Sequence, residues 1–263
     1  MNKPFNWKIF FILLAASIVG VVAVIPYSLA LQNLNLSDLN LPIPVWLLIP
    51  LQVLQNAIMF AIAIGIGLLA ANRVGLGLPV LEARLQGESV SGMIKPFLLP
   101  SILLGIVGSV LVILLDLFLF SPLLKAELGD KATMLTQHSL QPVAWKGLLA
   151  SFYGGINEEL LLRLSLMSVL VWLGRFISKT EDGHPTLGVL WIANILAAVL
   201  FGLGHLPATA AILPITPLVM LRAIVLNGII GIACGYLYFK HGLEAAILSH
   251  FTADIVLHVL LVL

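Results

Sequence analysis

Three short patterns in the second half of the chain put ionisable side chains on shared helical faces. In Glu158-Glu159-Leu160-Leu161-Leu162-Arg163, Glu159 and Arg163 are four residues apart and can pair. Glu158 then points about 100° away round the helix and is left free. A free carboxylate in an apolar pocket suits a general base. The competing reading is a double carboxylate neutralised by Arg163 and Arg222. In Phe201-Gly202-Leu203-Gly204-His205, followed by Pro207, the phenyl ring and the imidazole share a face. The glycines admit another helix closely, and the proline ends the span just past the histidine. His205 is therefore expected at a helix end beside a cavity, with a plain buried hydrogen-bonding role as the alternative. In His250-Phe251-Thr252-Ala253-Asp254, imidazole and carboxylate again lie four apart. Asp254 could fix the imidazole tautomer, or both could point at one metal ion or one substrate oxygen. Hydrolysis inside lipid needs a base for water and donors or a metal for the oxyanion, and this constellation offers candidates for each.

The elements that must carry these groups follow from composition. The chain has 263 residues, 60% hydrophobic and 10% charged, with a mean hydropathy of +1.12. A water-soluble core of this size needs no such excess of apolar residues. In lipid each span must satisfy its own backbone polar groups, which leaves helices or a closed barrel. Long unbroken apolar runs such as Ile9 to Ala30 and Ile94 to Phe120 fit helices rather than short alternating strands. The expected fold is all-α, a polytopic helical membrane bundle of about seven to eight transmembrane helices. Windows fall near 8–31, 44–71, 94–120, 143–175, 186–206, 213–239 and 243–263. The fourth exceeds one crossing, so part of Gln141 to Leu149 is read as interfacial or as a cap. The connector from Asn72 to Lys95, with Gly75, Gly77, Gly87 and Gly92, reads as a flexible linker with room for a short helix.

Charge adds orientation and exclusions. One side collects Lys3, Lys8, Arg73, Arg84, Lys95, Arg175, Lys179 and Lys240, and the other has Lys125, Lys131 and Lys146 in its loops. The N-terminus is therefore expected in the cytoplasm. A net charge of +1 gives no basic field for nucleic acid. The single cysteine, Cys234, excludes an internal disulfide and a Cys-rich metal site. Lys3, Lys8 and the run ending Ser28-Leu29-Ala30 resemble a signal peptide, but the apolar stretch is longer than a signal core and reads as an uncleaved span. Inside the spans lie Asp116, Glu158, Glu159, Arg163, His205, Arg222, Glu244, His250, Asp254 and His258. A charged side chain at a helix centre costs about 2.5–3.5 kcal/mol on the insertion scale, so each needs a partner or a wet cavity. Asp116, Arg222, Glu244 and His258 read as structural pairs or snorkelling groups.

At the three motifs the sequence resembles the CPBP family of intramembrane proteases, which includes the CAAX prenyl endopeptidase Rce1 and the Abi or bacteriocin-immunity proteins. Glu158-Glu159-x-x-x-Arg163, Phe201-x-x-x-His205 and His250-x-x-x-Asp254 occur in the family's order over roughly 145–258. The resemblance implies an intramembrane endopeptidase in which Glu158, with His205, activates water while His250 and Asp254 stabilise the oxyanion. Glu159 and Arg163 would hold the motif together. The family is commonly labelled a metalloprotease, with a metal-free glutamate mechanism as the competing view. A divalent ion such as zinc would draw on His205, His250 and Asp254, yet no His-Glu-x-x-His pattern is present. Many members have Asn where this chain has Asp254, which donates a hydrogen bond only when protonated. Asp254 is thus expected to be protonated, to orient His250 or to bind a cation.

The chain reads as one membrane domain, with N-terminal helices of unassigned role over 1–142 and the Rce1-like core over 143–263. Its expected partners are membrane lipid and a membrane-bound protein or peptide substrate, prenylated or not. Its expected location is a bacterial-type plasma membrane. A proton-coupled transporter would show related halves, which this sequence lacks. A non-catalytic scaffold or bacteriocin-immunity protein keeps the fold without the chemistry.

Overall fold

The computed structural model describes residues 4–31, 44–132 and 142–263. Lys3 and Gln141, which entered the signal-peptide and interfacial readings, lie outside the described residues. Among the described residues, nine α-helical elements order as α1 (Trp7–Leu31), α2 (Val45–Val74), α3 (Pro79–Leu85), α4 (Ser91–Leu128), α5 (144–174), α6 (Leu187–Gly204), α7 (Leu206–Ala210), α8 (Pro217–His241) and α9 (Leu243–His258). Six of them, α1, α2, α4, α8, α6 extended through α7, and α9 extended to Val262, are long and apolar enough to cross a membrane. The seventh long helix, α5, carries Lys146, Glu158, Glu159 and Arg163, more charge than a plain apolar span holds.

The packing is inverted relative to a soluble protein. Ile62, Leu99 and Val107 are each about 60% exposed, whereas Ser17, Asn157, Glu159, Arg163 and Asn194 are buried. Lipid as solvent accounts for this pattern, because apolar side chains lose nothing by facing it and polar ones must find partners inside. The main core cluster joins Ile9 of α1, Phe60 and Ile64 of α2, and Leu160, Leu164 and Met167 of α5. Helix α8 packs on α6 and α9, and α9 on α4. Gly202 lets α6 and α8 touch, since a methyl there would strike the Ile224 backbone.

Helix ends obey local chemistry. Gly75 (φ 73°) closes α2 and Gly242 (φ 101°) closes α8, both in backbone conformations that favour glycine. Thr216 Oγ1 accepts from the Val219 N–H at the start of α8. The linker between α2 and α4 does contain a short helix, α3. It is tied down at both faces: the Leu243 N–H donates to the Gly77 carbonyl at 2.9 Å, and the Leu81 N–H to Glu244 Oε1 at 2.8 Å. Glu244 is therefore a helix cap. Asp116 and Arg222 form a structural pair with two hydrogen bonds of 2.6 and 2.7 Å, joining α4 to α8.

Candidate active site

Helix α5 passes through the middle of the bundle in a widened form. Its segments Tyr153–Glu158 and Leu160–Met167 are π-helical, with i→i+5 bonding in place of i→i+4. Such segments recur at functional sites. The helical break after Gly204 places His205 at the junction of α6 and α7, with Pro207 at the start of α7, as the motif spacing predicts.

The adjacent carboxylates have different fates. Glu159, fully buried, lies 3.2 Å from Arg163 Nη1 and accepts a 2.7 Å hydrogen bond from His250 Nδ1. Arg163 Nη2 donates to the Gly231 carbonyl at 2.6 Å, which anchors α5 to α8. Arg222 is engaged with Asp116, so it neutralises neither glutamate. Glu158 is partly open, its side chain 22% exposed, and its Oε2 lies 3.5 Å from His250 Nε2. Asp254 Oδ1 approaches the same nitrogen at 3.8 Å. The partner that fixes the His250 tautomer is thus Glu159, 91 positions away, rather than Asp254 on the same helix. With Nδ1–H given to a carboxylate, Nε2 faces Glu158 and Asp254.

His205 presents the same nitrogen. Its Nδ1–H donates to the Phe201 carbonyl at 2.9 Å, leaving Nε2 free of that bond. The Phe201 ring lies edge-on to both imidazoles, with centroids 4.8 Å from His205 and 5.6 Å from His250, and the Arg163 guanidinium lies 5.5 Å from it. One phenyl ring therefore links the three motifs.

Two neighbours of the site have no counterpart in the motif reading. Tyr27 of α1 hydrogen-bonds His258 Nδ1 at 3.1 Å, and His258 Nε2 lies 3.9 Å from Asp254 Oδ1. A polar string runs from α1 through α9 to His250, and nothing in the local pattern around Tyr27 signals it. Gly154 makes room for Asp254, because a methyl at that position would overlap Oδ2. The Gly154-Gly155 pair ahead of the glutamates was a readable sign of a close approach.

The metal question can be put to the donor set. Among the described residues Glu159, Cys234 and His250 offer ligand atoms within 4.8 Å of one another, all buried. That grouping differs from the expected His205, His250 and Asp254 in all but His250, and includes the single cysteine. Proximity would admit an ion, but the chemistry fits one poorly. Two ligands of one tetrahedral zinc, each at about 2.0–2.1 Å, stand about 3.3 Å apart, whereas Glu159 Oε1 and His250 Nδ1 sit at a hydrogen-bonding 2.7 Å. The Arg163 guanidinium, 3.2 Å from that same oxygen, already supplies the positive charge. Within the grouping, Glu159 and His250 are joined by a hydrogen bond, and Arg163 pairs with Glu159 from outside it.

No curated protein and no solved structure matches the chain. Residues 140–256 match the family described as type II CAAX prenyl endopeptidase Rce1-like. That stretch contains α5 through most of α9, and so every residue of the Glu158, His205 and His250 motifs. The resemblance read from the three motifs and the family match agree: residues 140–256 of this integral membrane protein are similar to the Rce1-like family.

Proposed function

We propose that the chain is an intramembrane endopeptidase of the CAAX-protease type, hydrolysing a peptide bond of a membrane-associated protein or peptide. The observation that carries this reading is the division between neighbouring carboxylates. Glu159 is occupied by His250 and Arg163, while Glu158 is partly open, is in no arginine pair among the described residues and faces His250 Nε2 at 3.5 Å. One water oxygen lying beside that contact can reach both atoms.

In this mechanism Glu158 takes a proton from water as the water oxygen bonds to the scissile carbonyl carbon. The carbonyl electron pair moves to oxygen. His205 Nε2 holds the same water in line, its Nδ1–H being committed to Phe201. His250, once protonated at Nε2, donates to the oxyanion, and Glu159 keeps its ring in place. Asp254 adds a carboxyl group 3.8 Å from that nitrogen, whose protonated form is a second donor. The electron pair then returns to carbon, the C–N bond breaks and Glu158 passes its proton to the leaving nitrogen. We also infer, from the distribution of Lys and Arg, that the N-terminus lies in the cytoplasm of a bacterial-type membrane.

The test is cleavage of prenylated and unprenylated membrane peptides by the purified protein, comparing wild type with Glu158→Ala and His250→Ala, with and without a zinc chelator. Loss of cleavage in both variants and none with the chelator supports the glutamate mechanism. Cleavage that survives Glu158→Ala overturns it, and chelator-sensitive cleavage returns the chemistry to a metal.

A further inference from the structure

At the opposite end of α5 from Lys146, where α2, α5 and α8 terminate, the bundle holds a crevice of about 740 Å³. Arg73, Arg175, Lys240, His184 and His241 line it, against one carboxylate, Glu82, which has interactions of its own. The two guanidiniums are held in place: Arg73 sits 5.1 Å above the Trp172 ring, and Arg175 Nη1 donates to the Arg73 carbonyl at 2.8 Å. Among the described residues no carboxylate forms an ion pair with Arg73, Arg175 or Lys240. Arg73 lies in the last turn of α2, Arg175 caps the end of α5, and Lys240 and His241 lie in the last turn of α8, where helix C-termini favour cations. Arg73, Arg175 and Lys240 belong to the same charged side of the bundle as Arg84, Lys95 and Lys179, but it is the first three that converge on the crevice.

We propose that this crevice binds a phosphate group, either the headgroup of an acidic phospholipid or a soluble phosphate anion. Guanidiniums fixed by an aromatic ring and a backbone carbonyl match phosphate oxygens with little ordering cost. Basic pockets between spans at the membrane surface take phosphate-bearing headgroups. The exposed Phe176 and Ile177 beside Arg175, 70% and 91% exposed, give an acyl chain a surface to follow.

The experiment measures thermal stabilisation of the purified full-length protein in neutral detergent during titration with inorganic phosphate, short-chain phosphatidylglycerol or short-chain phosphatidylcholine. Proteins compared are wild type, Lys240→Gln, Arg175→Gln with Lys240→Gln, and a charge-matched control, Arg84→Gln with Lys95→Gln. The expected result is a saturable shift in wild type and control with an anionic ligand, at least ten-fold weaker in the double crevice variant and intermediate in Lys240→Gln. Phosphatidylcholine gives no saturable shift. A response to phosphatidylglycerol alone assigns a lipid headgroup, and a response to both assigns the phosphate itself. Equal responses in all four proteins, equal weakening in the control, or no saturable response to either anion overturns the proposal.

Discussion

Among the described residues, two carboxylate–arginine pairs lie inside the bundle, and they are built differently. Asp116 and Arg222 close on each other through two short hydrogen bonds, with a quarter or so of each side chain exposed. Glu159 and Arg163 are almost fully buried, stand 3.2 Å apart, and spend their hydrogen bonds elsewhere, on His250 and on the Gly231 carbonyl. The first pair is a clasp that neutralises two charges and joins two helices. The second is a bracket, in which each charge is compensated by its neighbour while its bonding capacity orients a third group. Sequence spacing shows that Glu159 and Arg163 can meet, but only packing shows which of the two arrangements results.

This contrast can be broken by substitution. Glu158→Gln, which removes the carboxylate outside both pairs, should lower the cleavage rate by about 10²–10⁴-fold while the unfolding midpoint in detergent–SDS titration stays near wild type. Glu159→Gln leaves Arg163 buried without its counter-charge and should cost about 3–5 kcal/mol of stability in the same titration, together with cleavage. Arg222→Gln should cost about 1.5–3 kcal/mol, the range for hydrogen bonds to charged groups, and leave cleavage per folded molecule within a few-fold of wild type. A loss of cleavage as large as that of Glu158→Gln would erase the distinction between clasp and bracket. Tyr27→Phe should have the smallest effect, about 0.5–1.5 kcal/mol for one hydrogen bond, with a few-fold drop in cleavage if the string through His258 steadies Asp254.

The same contrast shows what was legible in the chain. Apolar windows located the long helices to within a few residues at most ends, because each run had to satisfy lipid on its own; α4 is the exception, extending to Leu128, beyond the window end at 120. Pairs four apart were legible for the same local reason, as was the break at His205, just ahead of Pro207. Contacts between distant segments were not. His250 could equally have been oriented by Asp254, and Arg222 could have answered Glu158, since spacing along one helix says nothing about the helix across from it. The π-helical widening of α5 and the reach of Tyr27 to His258 likewise depend on how neighbours pack. The basic residues were counted for orientation, but their convergence on one crevice emerged only with the fold.

The backbone bond from Leu243 to Gly77 and the cap from Glu244 onto α3 make the short linker a ruler for α9. His250 lies seven positions beyond Leu243, so any slip at the ruler is carried undamped along a stiff rod. Shifting α9 by one residue would move the imidazole about 1.5 Å and swing it by about 100°, enough to lose Glu159. A one-residue insertion between Gly77 and Leu81 should therefore silence cleavage, and one beside Gly87, outside both ties, should be tolerated. Paired peptide-cleavage assays on the two insertions would show whether a segment far from the candidate site sets its gauge.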